Sequence, residues 1–302
     1  MKNKIKVSII APVYNDEKHI GKLLESLQKQ NYPENLIEII IIDNNSTDRT
    51  RKIVKQYPVK LLEEKNIQSS YAARNKGIEY AKGKILAFID SDCIANRDWI
   101  SEGVAALQTN SADLVGGKVE FYFSKKKTAA EYYDSITHFN MEKSIRERGS
   151  TGTGNLFVWH KVFKKLGRFP DNVQSGGDYQ WTSTATINGF LLVYAENVIV
   201  KHPARTLKEL LKKRYRIGGG RFHVWRKEKK PLLKIVGRLI RWCVPPHPTS
   251  IKKMAYKTGR PVTFKKMIKI WMITYLCKIT YILGILAPMF NFLSFNKNRL
   301  KT

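Results

Sequence analysis

The chain has 302 residues, 43% of them hydrophobic, and a formal net charge of +29 at pH 7. That apolar fraction is sufficient for a substantial buried core in one large domain or two. Three widely spaced cysteines without a CxxC pair argue against a disulfide framework and against a zinc site.

The positive charge is concentrated in the last third of the chain. Residues 1–200 contain 28 Lys and Arg against 23 Asp and Glu, whereas residues 201–302 contain 26 against 2. This asymmetry indicates an anionic partner, either nucleic acid or phospholipid. The largely apolar run before Pro12 is only five residues long, too short for a signal-peptide core, so a cytoplasmic location is expected.

Strand and helix patterns alternate over the first 90 residues. Short apolar runs predict strands at 7–11, 37–42, 59–62 and 85–89. Helical spacing predicts one helix that begins at Asn15 or Asp16 and two more at about 49–57 and 70–80. A strand pair is expected at 190–200. The alternation predicts an α/β fold with a mostly parallel sheet flanked by helices on both faces.

Polar clusters follow three of the predicted strands, at 12–15, 43–48 and 90–92. Because ligands bind at the carboxyl ends of strands in open α/β sheets, we expect these clusters to form one site. Asp43 directly follows four isoleucines and is expected to point into that site. Ser46 and Asp48 suit a helix cap equally well.

Asp90 and Asp92, at the end of the buried strand 85–89, indicate a divalent metal site. Carboxylate oxygens suit Mg²⁺ or Mn²⁺, which usually also engage substrate phosphates. A lone Asp-x-Asp often only caps a turn, so this interpretation depends on the neighbouring clusters. No GxGxxG or GxxxxGK[ST] sequence follows a strand, which argues against a dinucleotide fingerprint and against a P-loop.

The sequence resembles the family 2 glycosyltransferases, inverting enzymes with the glycosyltransferase A fold. The matching segments are VSIIAPVYND (7–16), IIDNNSTD (41–48), YAARNKGIEYAKGKILAFIDSDC (71–93) and GTGNLFVWHKVFKKLGRFPDNVQSGGDYQW (152–181). They occur in the family's order and spacing. The resemblance implies one glycosyltransferase A type domain over 1–205. The basic composition of residues 206–302 predicts a helical tail after it.

The resemblance also implies roles for residues at the strand ends. The residues implied for nucleotide binding are Ala11, Pro12, Tyr14, Glu17, Asp43, Arg74 and Asp90. Asp43 would contact the base and Arg74 the phosphates. Asp92 is implied as the direct metal ligand, with Asp90 assisting. From its position after the predicted strands 190–200, His202 is a further candidate for binding the metal or a phosphate, although a lone histidine is more often structural.

Asp178 occupies the position of the family's catalytic base. The family usually has Glu-Asp there, and Gly177 replaces the Glu, which leaves Asp178 as the only candidate. Gly152, Gly154 and Asn155 match a loop near the transferred sugar and the acceptor, with a plain turn as the alternative. One base suffices for single displacement with inversion, whereas a covalent route needs a second carboxylate.

The implied activity is metal-dependent transfer of one sugar, with UDP as the expected nucleotide, to a hydroxyl of a glycan or lipid-linked acceptor. Processive relatives carry Gln-x-x-Arg-Trp. The nearest match here, 238–242, lacks the Gln and favours single transfer. A nucleotidyltransferase of similar fold and a protein that binds an anionic polymer are the alternatives. The first would have an N-terminal glycine-rich phosphate loop and the second a nucleic-acid reader motif, and neither is present in the sequence.

Arg214, Arg216 and Arg221 surround a glycine run at 218–220 that is expected to form a hinge. From a mobile loop they would clamp the diphosphate, and a solvated basic face is the equal alternative.

The segment 267–293 is expected to associate with a membrane. Lys278 interrupts the apolar run 270–290, which favours docking at the interface over spanning, with a buried core helix as the third possibility. We therefore expect a peripheral or weakly inserted protein at the inner face of the cell membrane. Anionic lipid, rather than nucleic acid, is the expected partner.

Overall fold

The computed structural model describes residues 5–299 except 172, 174, 229, 248 and 250–262. The described chain forms two compact units. The first contains the residues up to Tyr122 together with Phe139–Pro203, and the second contains Phe123–His138 together with the residues from Ala204 onward. The division expected from the sequence, between 205 and 206, keeps 123–138 with the first unit.

Within the described residues, the strands all lie in the first unit. They are β1 (Val7–Val13), β2 (Ile37–Asp43), β3 (Lys60–Glu63), β4 (Ile85–Ile89), β5 (Ile94–Ala95), β6 (Leu114–Tyr122), β7 (Asn155–Trp159) and β8 (Leu192–Pro203). The helices of the chain up to residue 190 are α1 (Ile20–Gln28), α2 (Thr50–Val54), α3 (Ser70–Tyr80), α4 (Trp99–Thr109), α5 (Ala129–Thr137), α6 (Met141–Arg148), α7 (His160–Leu166) and α8 (Gly177–Ile187). A short 3₁₀ helix covers Glu34–Leu36, and α5 alone of these helices belongs to the second unit.

The elements predicted for the first 90 residues are confirmed, with differences at their ends. β4 and α3 have the predicted limits, and α2 is shorter than predicted. The predicted start of α1 is wrong. The Asp16 carbonyl oxygen accepts hydrogen bonds from the His19 and Ile20 amides in a turn, and the helix begins only at Ile20. The predicted strand pair at 190–200 is also wrong. It is the single strand β8, whose pairing with β6 is interrupted by a register shift next to Gly117.

The eight strands form one sheet in the order β3-β2-β1-β4-β7-β6-β8-β5. The first four are mutually parallel, so β1, β2 and β4 end at the same edge. The antiparallel strand β7 begins at that edge, where Asn155 pairs with Ile89. β5 pairs antiparallel with the end of β8, with Ile94 opposite Lys201. These two antiparallel pairings bring later parts of the chain to the strand-end carboxylates.

The sheet is buried on both faces, as the continuous apolar runs predict. Successive residues of β1 alternate between the two sides, so that Ile9 belongs to one core cluster and Ile10 to the other. Helices α1 and α4 supply the first cluster, whereas α3, α7 and α8 supply the second. Helices on both faces therefore hold in place the strands whose ends carry the polar clusters.

The second unit consists of helices packed on α5. They are α9 (Leu207–Lys227), α10 (Leu232–Cys243) and α11 (Phe264–Arg299). Tyr132 and Tyr133 of α5 pack with Leu210 of α9 and Ile270 of α11. This apolar contact explains why 123–138 belongs with the C-terminal helices.

The expected glycine hinge at 218–220 is wrong, because α9 runs through it without interruption. Gly218 faces the α11 backbone at Tyr281, and Gly284 of α11 faces the α9 backbone at Tyr215. A Cβ atom at either glycine would collide with the other helix. The glycines therefore allow two helices to approach closely rather than bend one of them.

The described residues contain one helix long and apolar enough to cross a membrane, Phe264–Phe290 within α11. About a third of its most apolar window (33%) is buried inside the protein. Pro288 lies inside α11, and the helix continues beyond it.

Candidate active site

Asp92 lies beside His202 because two strand pairings meet at that point. Asp92 follows β4, and β5 then pairs with the end of β8. The pairing places His202 Nε2 3.2 Å from Asp92 Oδ2. The other ring nitrogen, Nδ1, is 2.6 Å from the Pro203 carbonyl oxygen. Since a carbonyl only accepts, we assign the ring proton to Nδ1.

The Asp92–His202 pair fits a divalent metal ion. In the neutral ring, Nε2 presents a lone pair to the carboxylate, so the contact is favourable only with a proton or a metal ion shared between them. A backbone carbonyl on Nδ1–H is a usual way of orienting a metal-binding histidine. His202 is fully buried against Phe121 and Phe139. No three potential ligand side chains cluster among the described residues, so substrate oxygens or water would have to complete the coordination.

Asp90 is held by Arg74 of α3. The Arg74 guanidinium lies 2.5 Å from Asp90 Oδ1, and its side chain is 5% exposed. Arg74 also donates to the Ser70 carbonyl oxygen at 3.3 Å. The guanidinium is thus buried against Asp90, and the help that Arg74 was expected to give in binding the nucleotide and its phosphates stays a prediction. Arg74 orients Asp90, which leaves Asp92 as the better-placed metal ligand.

Asp178, in the first turn of α8, accepts four hydrogen bonds. Oδ1 accepts from the Tyr71 hydroxyl and from the Tyr179 backbone N–H, each at 3.0 Å. Oδ2 accepts from the Thr153 backbone N–H at 3.1 Å and from the Thr153 hydroxyl at 3.4 Å. Sequence reasoning missed both Tyr71 and Thr153. Thr153 lies between Gly152 and Gly154, which the sequence predicts to be near the sugar, whereas no sequence signal points to Tyr71.

The loop 152–154 lies next to Asp178 at one end and next to Asp90 at the other. A Cβ atom on Gly152 would lie 3.2 Å from Asp178 Oδ2, and one on Gly154 would lie 3.1 Å from Asp90 Oδ2. Because neither glycine has a side chain, the loop can approach both carboxylates closely. The side chain of Asn155 is fully buried, so the expected role of this residue at the sugar stays a prediction for its backbone alone. Its amide group bonds Trp99 and the backbones of β6 and β8.

Asp43 ends β2 and is 1% exposed. Its Oδ2 accepts from the Ser46 backbone N–H at 3.0 Å, whereas its Oδ1 is buried without a hydrogen-bond partner among the described residues. Such an orphaned acceptor costs free energy until a donor reaches it. Asp48 serves the local structure, as Oδ1 accepts from Thr50 and Oδ2 from the Glu17 amide.

The other residues expected at the nucleotide divide into core and surface positions. Ala11 is fully buried in a core cluster, so its side chain does not line a pocket, and Pro12 is buried beside it. Tyr14 is 53% exposed at the end of β1. Glu17 accepts from the Arg49 amide and guanidinium, and these hydrogen bonds lower its pKa.

The three arginines of the expected clamp lie within α9, not on a mobile loop. Arg214 donates to the Tyr133 hydroxyl at 3.4 Å, and Arg221 donates to the Tyr281 hydroxyl at 3.3 Å. Arg216 is exposed. Two of the three are thus engaged in contacts between helices of the second unit.

Comparison with known proteins decides the family. The profile of Glycosyl transferase family 2 matches residues 8–167. This chain belongs to that family. It is also 39% identical over 282 residues to the Glycosyltransferase AglE of Haloferax volcanii, a match that covers 90% of this chain and 92% of that protein. The enzyme is therefore a glycosyltransferase, which confirms the expectation from the four matching segments.

Two solved structures show that the fold is shared. A mannosyltransferase from Pyrobaculum calidifontis, solved with GDP-Man and Mn²⁺, is 17% identical with a TM-score of 0.62, over 95% of this chain and 88% of that one. The Staphylococcus aureus protein TarS (residues 1–349), solved with UDP-GlcNAc, is 18% identical with a TM-score of 0.57, over 95% and 92%. At this identity the likeness establishes the glycosyltransferase A type fold alone.

Proposed function

We propose that this glycosyltransferase moves one sugar from a nucleoside-diphosphate sugar to an acceptor hydroxyl with inversion, using a divalent metal ion and Asp178 as the general base. The observation that carries the proposal is the loop 152–154. Its glycines face Asp178 at one end and Asp90 at the other. The proposed proton acceptor and the strand end proposed to bind the metal thus lie against the same loop.

In the proposed reaction Asp178 accepts the proton of the acceptor hydroxyl. The acceptor oxygen then bonds to the anomeric carbon as the bond from that carbon to the diphosphate breaks, and the electron pair leaves with the nucleoside diphosphate. Asp92 and His202 would hold Mn²⁺ or Mg²⁺, which stabilises the negative charge of the diphosphate as a Lewis acid. Asp90, fixed by Arg74, would orient the donor.

The nucleotide would bind across the ends of β1 and β2. The buried Oδ1 of Asp43 supports this placement, because it can accept from a ring N–H of uracil. Tyr14 and Glu17 flank the same edge. A diphosphate clamp by Arg214, Arg216 and Arg221 stays a prediction, and it would have to act from a helix.

A panel of donors tests the proposed reaction. We expect UDP-glucose or UDP-N-acetylglucosamine with Mn²⁺ to raise the melting temperature, since a ligand that binds only the folded state stabilises it by mass action. The same donor should release UDP slowly, with water as acceptor, and EDTA should abolish both effects. GDP-mannose is the comparison donor. Release of pyrophosphate would contradict the proposal and favour a nucleotidyltransferase. A thermal shift indifferent to metal would contradict the role proposed for the metal ion.

We further propose that the second unit docks on an anionic membrane, with a glycan or lipid-linked acceptor. Helix α10 buries Ile235 and Leu239 and exposes Leu233 and Ile240 on its other side. Helix α11 exposes an apolar stripe between residues 264 and 290. The stripe consists of Phe264, Ile268, Met272, Leu276, Leu283 and Phe290. Exposed apolar helix faces within a strongly basic region are typical of interfacial docking.

The charge of Lys278 opposes membrane contact less than its position in the apolar segment suggests. Its Nζ donates to the Val244 carbonyl oxygen at 2.8 Å, just beyond the end of α10. Tyr275 and Trp271 of α11 donate to the carbonyl oxygens of Cys243 and Pro246 in the same way. The ammonium group therefore joins α11 to the carbonyl end of α10, where a positive charge is favourable.

An apolar-to-acidic substitution tests the docking face. We expect the protein to bind vesicles of 30% phosphatidylglycerol in phosphatidylcholine at low salt, and Ile240→Glu to weaken binding by about tenfold or more. The variant loses the burial of one aliphatic side chain, about 1.5–3 kcal/mol, and adds repulsion from the lipid. Ile187→Glu, an exposed isoleucine of the first unit, is the matched control and should bind normally. Equal binding of both variants in vesicle flotation would contradict this face.

A further inference from the structure

Tyr71 lies behind Asp178 and fills the space next to Gly177. A Cβ atom at position 177 would lie 3.1 Å from Tyr71 Cε2 and 2.9 Å from Val173 Cγ2. A side chain at 177, such as the Glu of the Glu-Asp pair usual for the family, would therefore require Val173 and the tyrosine ring to shift. In this chain the ring remains, and its hydroxyl reaches Asp178 Oδ1 at 3.0 Å.

The Tyr71 hydroxyl is held firmly in this position. Tyr71 is 5% exposed and lies in the first turn of α3, where the Ser69 side chain caps its backbone N–H at 3.2 Å. Phe169 packs on the ring, and the Arg74 guanidinium lies 5.8 Å from the ring centroid. Burial and the negative charge of Asp178 raise the pKa of Tyr71, so the hydroxyl stays protonated and donates.

The four hydrogen bonds distinguish the two oxygens of Asp178. A carboxylate oxygen accepts about two hydrogen bonds, and Oδ1 has two at 3.0 Å, from Tyr71 and the Tyr179 amide. Oδ2 has one good hydrogen bond, from the Thr153 amide, and a long one from the Thr153 hydroxyl, which can rotate away. Oδ2 also faces Gly152, which has no side chain of its own and lies beside the ring of Tyr179.

We propose that Tyr71 is a positioning residue that occupies Asp178 Oδ1 and directs Oδ2 toward the acceptor hydroxyl, in place of the acidic side chain that position 177 lacks. The proton of the acceptor passes to Oδ2, while Tyr71 keeps its own proton. The proposal rests on Asp178 being the base.

The test is the substitution Tyr71→Phe, which keeps the ring and removes the hydroxyl. With UDP-glucose or UDP-N-acetylglucosamine, whichever is hydrolysed in the donor panel, we expect kcat to fall about tenfold, as for loss of a hydrogen bond to a charged group. The donor KM and the thermal shift with UDP and Mn²⁺ should stay within about twofold of wild type. Tyr80→Phe, at the other end of α3, is the matched control and should leave kcat unchanged.

A double-mutant cycle separates positioning from a structural effect. In the Asp178→Asn background, Tyr71→Phe should cause no further loss, because the group that it orients is gone. Unchanged kcat in Tyr71→Phe, or an equal tenfold loss in the Asp178→Asn background, would overturn the Tyr71 proposal while leaving the base assignment intact. Full turnover in Asp178→Asn itself would overturn the base assignment instead.

Discussion

Asp178→Asn is expected to lower turnover by about 10²-fold or more while donor binding is retained. The substitution removes the proton acceptor from the first turn of α8 and leaves the donor side of the site unchanged. Because the chemical step is affected and ground-state binding is not, kcat should fall with little change in the donor KM. Hydrolysis of the donor identified in the panel gives kcat, and the thermal shift with UDP and Mn²⁺ gives binding.

The matched control for this variant is Asp171→Asn, which makes the same substitution in the segment before α8 and should keep full turnover. In Asp178→Asn, an amide N–H₂ group replaces one acceptor oxygen and opposes a donor such as the Thr153 amide, so a modest drop in melting temperature is expected. Lost donor affinity with preserved turnover would identify Asp178 as a binding residue and would remove the general base from the proposed reaction.

Asp92→Asn is expected to abolish metal-dependent nucleotide binding and to lower turnover by at least about 10²-fold, because the diphosphate loses several kcal/mol of charge stabilisation. His202 would be left as the remaining protein ligand. Isothermal titration of UDP with and without Mn²⁺ measures the effect directly. In wild type we expect Mn²⁺ to increase UDP affinity strongly, and in the variant we expect the two titrations to coincide.

Asp98→Asn provides the control for the metal prediction. Asp98 is an exposed carboxylate six residues further along the chain, and its Oδ1 accepts a hydrogen bond from Asn31 at 2.9 Å. That variant should show wild-type dependence on Mn²⁺. Normal turnover and unchanged Mn²⁺ dependence in Asp92→Asn would contradict a metal site at this strand end.

The strand-end carboxylates could be predicted from the sequence because their strands are buried on both faces. A continuous apolar run such as 85–89 predicts a strand in a sheet that is covered on both faces. The carboxylates that follow the run are then expected at the edge of that sheet. Asp43, Asp90 and Asp92 are placed in this way. Asp178 was found only through resemblance, because nothing in its own spacing distinguishes it from another helix N-terminal acid.

For several residues the structure adds partners that a sequence match does not give. Arg74 matches a nucleotide-binding position, yet its guanidinium is buried on Asp90. Asn155 matches a loop position, yet its amide joins β7 to β6 and β8. Ala11 is fully buried in the core. In each case the partner comes from a distant part of the chain, which periodicity cannot reveal.

The sequence by itself determined the family, the parallel half of the sheet and the charge difference between the first 200 residues and the rest, since these depend on local pattern and composition. The tertiary structure alone decided which residues meet. It brings His202 to Asp92 through the pairing of β5 with β8, and Tyr71 to Asp178 through the packing of α3 near α8. It also made the glycines of α9 a helix contact instead of a hinge. The physical reason is that such contacts join residues far apart in the chain, and their free energy depends on the three-dimensional packing around them.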